Sequence, residues 1–151
     1  VNVRPVDTGP AYPVPRTAMQ ARDRVQSLIE SSGILPETSG PPGEDVLSDA
    51  LLVTSELATN AIRHGGGIVG FSASVSSDGL LLAVADASGD HPVTLVRPPG
   101  TFPVGGFGWP LICRLARSVR ILPAQPVGKR IEVLVPLDGA DSPPVRVPDQ
   151  R

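Results

Sequence analysis

Between Glu44 and His64 the chain carries two opposed stripes at helical spacing, and this segment constrains the fold more tightly than any other. At about 100° per residue, Leu47, Ala50, Leu51, Thr54, Leu57, Ala58, Ala61 and Ile62 share one arc, which predicts a face turned to a core. Asp49, Glu56, Asn60 and Arg63 fall on the opposite side, and Gly65, Gly66 and Gly67 end the helix. An apolar face of this kind has to be covered by a second layer, which the flanking segments must supply.

The remaining elements follow from periodicity and breakers. A first helix is predicted over Thr17 to Ser32, where Ala18, Ala21, Val25, Leu28 and Ile29 recur at helical spacing before Gly33 and Pro36. Residues 33–43 hold too many glycines and prolines for an element and connect the two helices. Val69, Phe71, Ala73 and Val75 then alternate with Gly70 and serines as in a half-buried strand, and Asp78-Gly79 signals a hairpin. Leu80 to Ala85 reads as a strand buried on both faces or nearly so, delivering Asp86 at its end. Ten of the 22 residues from Gly89 to Pro110 are Gly or Pro, which predicts a long loop that is a functional lid or else disordered. A third helix over Leu111 to Ser118 and strands over Val119 to Leu122 and Ile131 to Val135 complete the order. That order predicts an α+β fold, a two-layer α/β sandwich whose mostly antiparallel four-strand sheet carries its helices on one face.

Glycine (16) and proline (18) exceed a fifth of the 151 residues, but they concentrate at the ends and in the loop. The expected organisation is a proline-rich N-terminal tail over 1–16, one domain over 17–136 and a flexible C-terminal tail over 137–151. Thirteen Lys and Arg against 15 Asp and Glu leave a formal charge of −2, so no basic field favours nucleic acid, and 3% aromatics offer few stacking surfaces. The longest apolar run is far too short for a membrane helix, and no basic region followed by an apolar stretch marks a secretory leader. The single cysteine, Cys113, cannot form an internal disulfide; a buried apolar role in a reducing cytoplasm is expected. Proteins and small molecules are the expected partners.

Several positions could carry chemistry. Glu56 and Asn60, one helical turn apart and away from the core, pair a carboxylate able to orient or deprotonate a nucleophile with an amide oxygen able to ligate Mg²⁺. Arg63 beside them could contact phosphate, although such a stripe is also the ordinary solvated side of a helix. Asp86 could accept a hydrogen bond from an exocyclic amine at the mouth of a pocket, and equally could be turn chemistry. Gly105-Gly106-Phe107-Gly108 before a helix offers close backbone approach and free N–H groups to a phosphate. Other nucleotide motifs fail: Gly128-Lys129 has Pro123 where a P-loop needs its first glycine and Arg130 where it needs a hydroxyl. Gly106-x-Gly108 meets Leu111 where a dinucleotide fingerprint needs Gly or Ala. His64 and His91 lack ligand spacing, and Asp86, Asp90 and His91 form a weak metal grouping.

In combination these features are more specific. Glu56-Leu57-x-x-Asn60-Ala61-x-x-His64 on a helix, Asp86 after an apolar strand, and a glycine-rich loop ending in Gly106-x-Gly108 before another helix resemble the Bergerat-fold, or GHKL-type, ATPases, which include gyrase and the histidine kinases. The match covers about residues 17–136, and the short chain looks most like the anti-sigma factor serine/threonine kinases of actinobacterial type. The resemblance implies an ATP and Mg²⁺ site. Glu56 would be the general base, Asn60 the Mg²⁺ ligand, and Arg63 and His64 neighbours of the phosphates. Asp86 would bind the adenine amine with Ser88 beside it, and Gly106, Gly108 and Trp109 would form the phosphate segment. It also implies a sigma factor and an anti-sigma-factor antagonist of STAS type as partners, and a homodimer.

The chain departs from the family pattern at Ser88, where many members have glycine, and at Trp109, where leucine is usual. Pro110 opens the third helix, and Lys129-Arg130 stand where a hydroxyl residue often follows Gly128. The function these residues imply is an ATP-dependent kinase that phosphorylates the antagonist and sequesters the sigma factor when the antagonist is absent. The alternative is a non-catalytic protein-binding module retaining the ATPase fold, and a stand-alone ATPase ranks third.

Overall fold

The computed structural model describes residues 6–7, 13–35, 41–89, 108–124 and 127–137. Helix α1 spans Ala18–Ser32, with the Thr17 side chain accepting the Gln20 amide as its N-cap and Gly33 closing it in the left-handed region. Helix α2 spans Pro41–His64 and so begins earlier than Glu44; its prolines fall in the first turn, where no amide donor is needed. Strands β2 (Ile68–Ser76) and β3 (Gly79–Asp86) form the expected hairpin, followed by α3 (Gly108–Leu115), β4 (Ser118–Pro123) and β5 (Lys129–Val135). Helix α3 starts three residues before the predicted Leu111, with Pro110 in its first turn.

The four predicted strands pair antiparallel in the order β2-β3-β5-β4, and Val6–Asp7 add a short edge strand, β1, against Val75 and Ser74 of β2. The expected tail therefore contributes to the sheet, and Pro15 is fully buried. Strands β3 and β4 both run opposite to β5, so they point the same way, and the chain between them includes α3.

One face of the sheet carries the core. Leu80, Leu82 and Val84 of β3 lie beside Ile131, Val133 and Val135 of β5 and Ala73 and Val75 of β2, all buried under the helices. Leu81, between two buried neighbours, is 46% exposed, so β3 is less enclosed on its second face than its sequence predicts. The helices close the layer through Val25, Leu28 and Ile29 of α1, Val53 and Leu57 of α2 and Ile112 of α3.

The buried arc of α2 differs from the predicted one in a way that matters for the site. Val53, outside that arc, is fully buried, whereas Ile62, inside it, is 39% exposed. The helix is thus rolled toward its polar stripe, which brings Glu56 and Asn60 to the border of the core as half-buried residues.

The inward and outward rows of β3 give a direct test. Leu82→Ala should lower stability by about 2–5 kcal/mol, because it leaves a cavity in a fully buried row. Leu81→Ala, one residue away on the other face, should change it by less than about 1 kcal/mol. Urea denaturation of both variants checks the assignment, and equal losses would contradict it.

Candidate functional site

Four chain ends converge at one edge of the sandwich: the C-terminus of α2, the last residue of β3, the first residue of β5 and the segment after Asp86. In β3 the inward row Leu80, Leu82, Val84 ends in Asp86, and in β5 the inward row Val135, Val133, Ile131 ends in Lys129. The two are directly opposite in the ladder, so register alone brings a carboxylate and an ammonium face to face. Lys129 Nζ lies 2.9 Å from Asp86 Oδ2 and 3.1 Å from Oδ1, and both side chains are almost wholly removed from solvent.

Backbone groups complete this cluster. The Ser88 amide donates to Asp86 Oδ1 at 2.9 Å, and the Ser88 carbonyl accepts from Lys129 Nζ at 3.3 Å. The Ser88 main chain thus engages both partners, and its φ is not positive, so the position makes no demand for glycine. Gly65 packs against the Asp86 side chain so closely that a Cβ there would overlap the carboxylate. Its amide bonds Ala61 O at 3.0 Å and its carbonyl accepts from Ala87 N at 3.0 Å, tying the end of α2 to the end of β3. Gly128, at φ +111°, passes over the Asp86 carbonyl where any Cβ would collide.

A second group lies further back on α2. Glu56 and Asn60 sit one turn apart, and Gly108, the buried first residue of α3, rests on both. A Cβ at Gly108 would overlap the Glu56 carboxylate and stand 3.6 Å from Asn60 Oδ1. The N-terminal end of α3 is thus set over a carboxylate and an amide, with space that only glycine leaves. Eight residues separate Glu56 from His64 at the helix end, about 12 Å of axis, so the two groups mark out an elongated site.

The other predicted positions are placed as follows. Arg63 and His64 are exposed in the last turn of α2, where the Arg63 guanidinium complements the helix dipole. Trp109 is half-buried and packs against the core, and Pro110 is exposed. Gly106 lies outside the described residues, together with Asp90, His91 and the rest of 90–107. Among the described residues no cluster of three or more His, Cys, Asp or Glu could hold a metal by itself. None of the helices is long and apolar enough to cross a membrane.

Sequence reasoning missed the partner of Asp86. The signal was present: Lys129-x-Ile131-x-Val133-x-Val135 alternates so that Lys129 takes a core-facing position, and a buried ammonium requires a carboxylate. Gly65 was likewise read only as a helix stop, because its contact with Asp86 depends on tertiary packing.

Residues 13–134 match the family model described as the histidine kinase-like ATPase domain. Comparisons with curated proteins and with solved structures gave no match.

Asp86→Ala should cost about 3–5 kcal/mol in thermal or urea unfolding, because it strands the buried Lys129 ammonium. A loss under about 1 kcal/mol would show that Lys129 escapes to solvent easily. Burial also pushes the Cys113 thiol above its ordinary pKa, so its thiolate appears only at higher pH than in a free cysteine. Alkylation by iodoacetamide at neutral pH should accordingly be slower in the folded protein than after denaturation, and equal rates would refute this.

Proposed function

The chain belongs to the histidine kinase-like ATPase domain family, and from that premise we propose that it binds ATP with Mg²⁺ and acts as an anti-sigma regulatory factor. In this reading it phosphorylates a serine or threonine of a STAS-type anti-sigma-factor antagonist and sequesters a sigma factor when the antagonist is absent. The observation that carries the proposal is the half-buried Glu56–Asn60 pair beneath Gly108 at the start of α3.

The donor set fits an Mg²⁺-nucleotide. A carboxamide oxygen at Asn60 is a hard ligand suited to Mg²⁺, which binds few protein groups and takes the rest of its oxygens from phosphates and water. When bound, ATP supplies the phosphoryl group, and Mg²⁺ neutralises charge on it. Glu56 would orient the attacking hydroxyl of the antagonist and accept its proton. Arg63, one turn beyond Asn60, would bring positive charge toward the phosphates, with His64 beside it. The main chain of Gly108, with Gly106 before it, would approach the phosphates closely, with Trp109 packed behind it. Asp86, with Ser88 beside it, would present its carboxylate to the adenine amine, some two turns of α2 away from the phosphate end.

A non-catalytic module that retains the fold is the second reading, and the engagement of Asp86 by Lys129 favours it. Calorimetry with Mg²⁺-ATP separates the two from a chain without a nucleotide site. The wild-type protein should bind saturably, and Asn60→Ala should weaken that binding by about tenfold or more, equivalent to about 1.4 kcal/mol. Glu56→Gln should keep nucleotide binding while lowering ADP release by at least about 100-fold. No binding by the wild-type protein would overturn the kinase reading. Binding without turnover, by wild type and Glu56→Gln alike, would favour the non-catalytic module.

A further inference from the structure

Lys129 is a buried cation that the phosphoryl-transfer chemistry does not use, and its position bears on what the opposite end of the site can recognise. An ammonium has three N–H donors, and here three acceptors lie within reach: Asp86 Oδ2 at 2.9 Å, Asp86 Oδ1 at 3.1 Å and the Ser88 carbonyl at 3.3 Å. Asp86 Oδ1 also receives the Ser88 amide, and Gly65 presses against the carboxylate from the helix side. The carboxylate that would accept a base amine is therefore already held by an internal donor.

We propose that Lys129 is the specificity-determining residue of the base end, an internal competitor that occupies Asp86 and makes nucleotide binding weak and nearly indifferent to the base. The proposal rests on the nucleotide-binding reading above. An exocyclic amine is a neutral donor, and a neutral hydrogen bond to a carboxylate is weaker than a charge-assisted one from an ammonium. Displacing Lys129 would also leave a cation in a buried site without its counter-charge, which is costly. The base consequently meets a carboxylate whose two oxygens are both already engaged by Lys129, and most of the affinity comes from the phosphate end around Asn60 and Gly108.

The test compares the full chain with Lys129→Thr, which removes the ammonium, and Lys129→Arg, which keeps the charge. Each is titrated with Mg²⁺-ATP and Mg²⁺-GTP by calorimetry, and each is melted without ligand. The expected result is a wild-type protein that binds both nucleotides within a few-fold of each other. Lys129→Thr should bind ATP about tenfold more tightly, the worth of one recovered hydrogen bond, prefer ATP to GTP, and melt at a lower temperature. Lys129→Arg should bind both nucleotides as the wild type does. Should Lys129→Thr not fold, Lys129→Gln, which keeps a neutral donor against Asp86, should shift affinity in the same direction.

Wild-type binding that is unchanged or weakened in Lys129→Thr would overturn the role of Lys129 and leave the nucleotide site standing. Failure of the wild-type protein and of both neutral variants to bind either nucleotide would overturn the nucleotide reading and this inference with it.

Discussion

The packing of α2 on the sheet is the constraint from which the rest of the arrangement follows. Ala50 and Ala61 are small enough to let the helix come close, and with Val53 and Leu57 they join the buried core that α2 shares with β2 and β3. Thr54 is fully buried among them and satisfies its hydroxyl by donating to the Ala50 carbonyl at 2.7 Å, so no polar group is orphaned by the contact. This seating fixes the roll of the helix. Because Val53 rather than Ile62 is drawn in, Glu56 and Asn60 are carried to the rim of the core, where their surroundings are partly desolvated and α3 can lie over them. The chemistry-bearing stripe is in this sense a consequence of which side of α2 the sheet accepts.

The edge of the sandwich obeys a different physics. A buried ion pair is weak evidence for stability, since removing two charges from water offsets much of their attraction. The Asp86–Lys129 pair is nevertheless surrounded by groups that make it hard to rearrange: the Ser88 main chain bonds both partners, Gly65 closes one side, and Gly128 holds the β5 entry over the Asp86 carbonyl. Breaking the pair from either side strands the other charge, so the cluster pins β3 against β5 at the end where their apolar rows have run out.

Most of the fold was legible because its elements carry their own signals. The first helix had apolar residues at helical spacing and a stop at Gly33, and the β2–β3 hairpin had alternation on one side of Asp78-Gly79. The two-residue strand at Val6–Asp7 had no such signal, since a pairing that short is set by the neighbour it meets. For the site, Glu56, Asn60 and Gly108 were readable from spacing and from a glycine placed before a helix. The roll of α2 was not, because helical periodicity locates an apolar arc only to within a residue or so on each side and tertiary contacts decide the remainder. Lys129 belonged to a different class of miss: the alternation of β5 marked it as inward-facing, but its partner lies 43 positions away in sequence and becomes visible only with the strand order.

The two ends of the elongated site are therefore built by separate structural devices. Glu56, Asn60 and Gly108 are held by helix-on-helix packing of α2 and α3, whereas Asp86 and Lys129 are held by the ladder between β3 and β5. Between them runs the last stretch of α2, whose terminal peptide at Gly65 bonds back to Ala61 and forward to Ala87. A Cβ at Gly65 would overlap the Asp86 carboxylate, so the end of α2 and the end of β3 can meet here only because the residue is glycine.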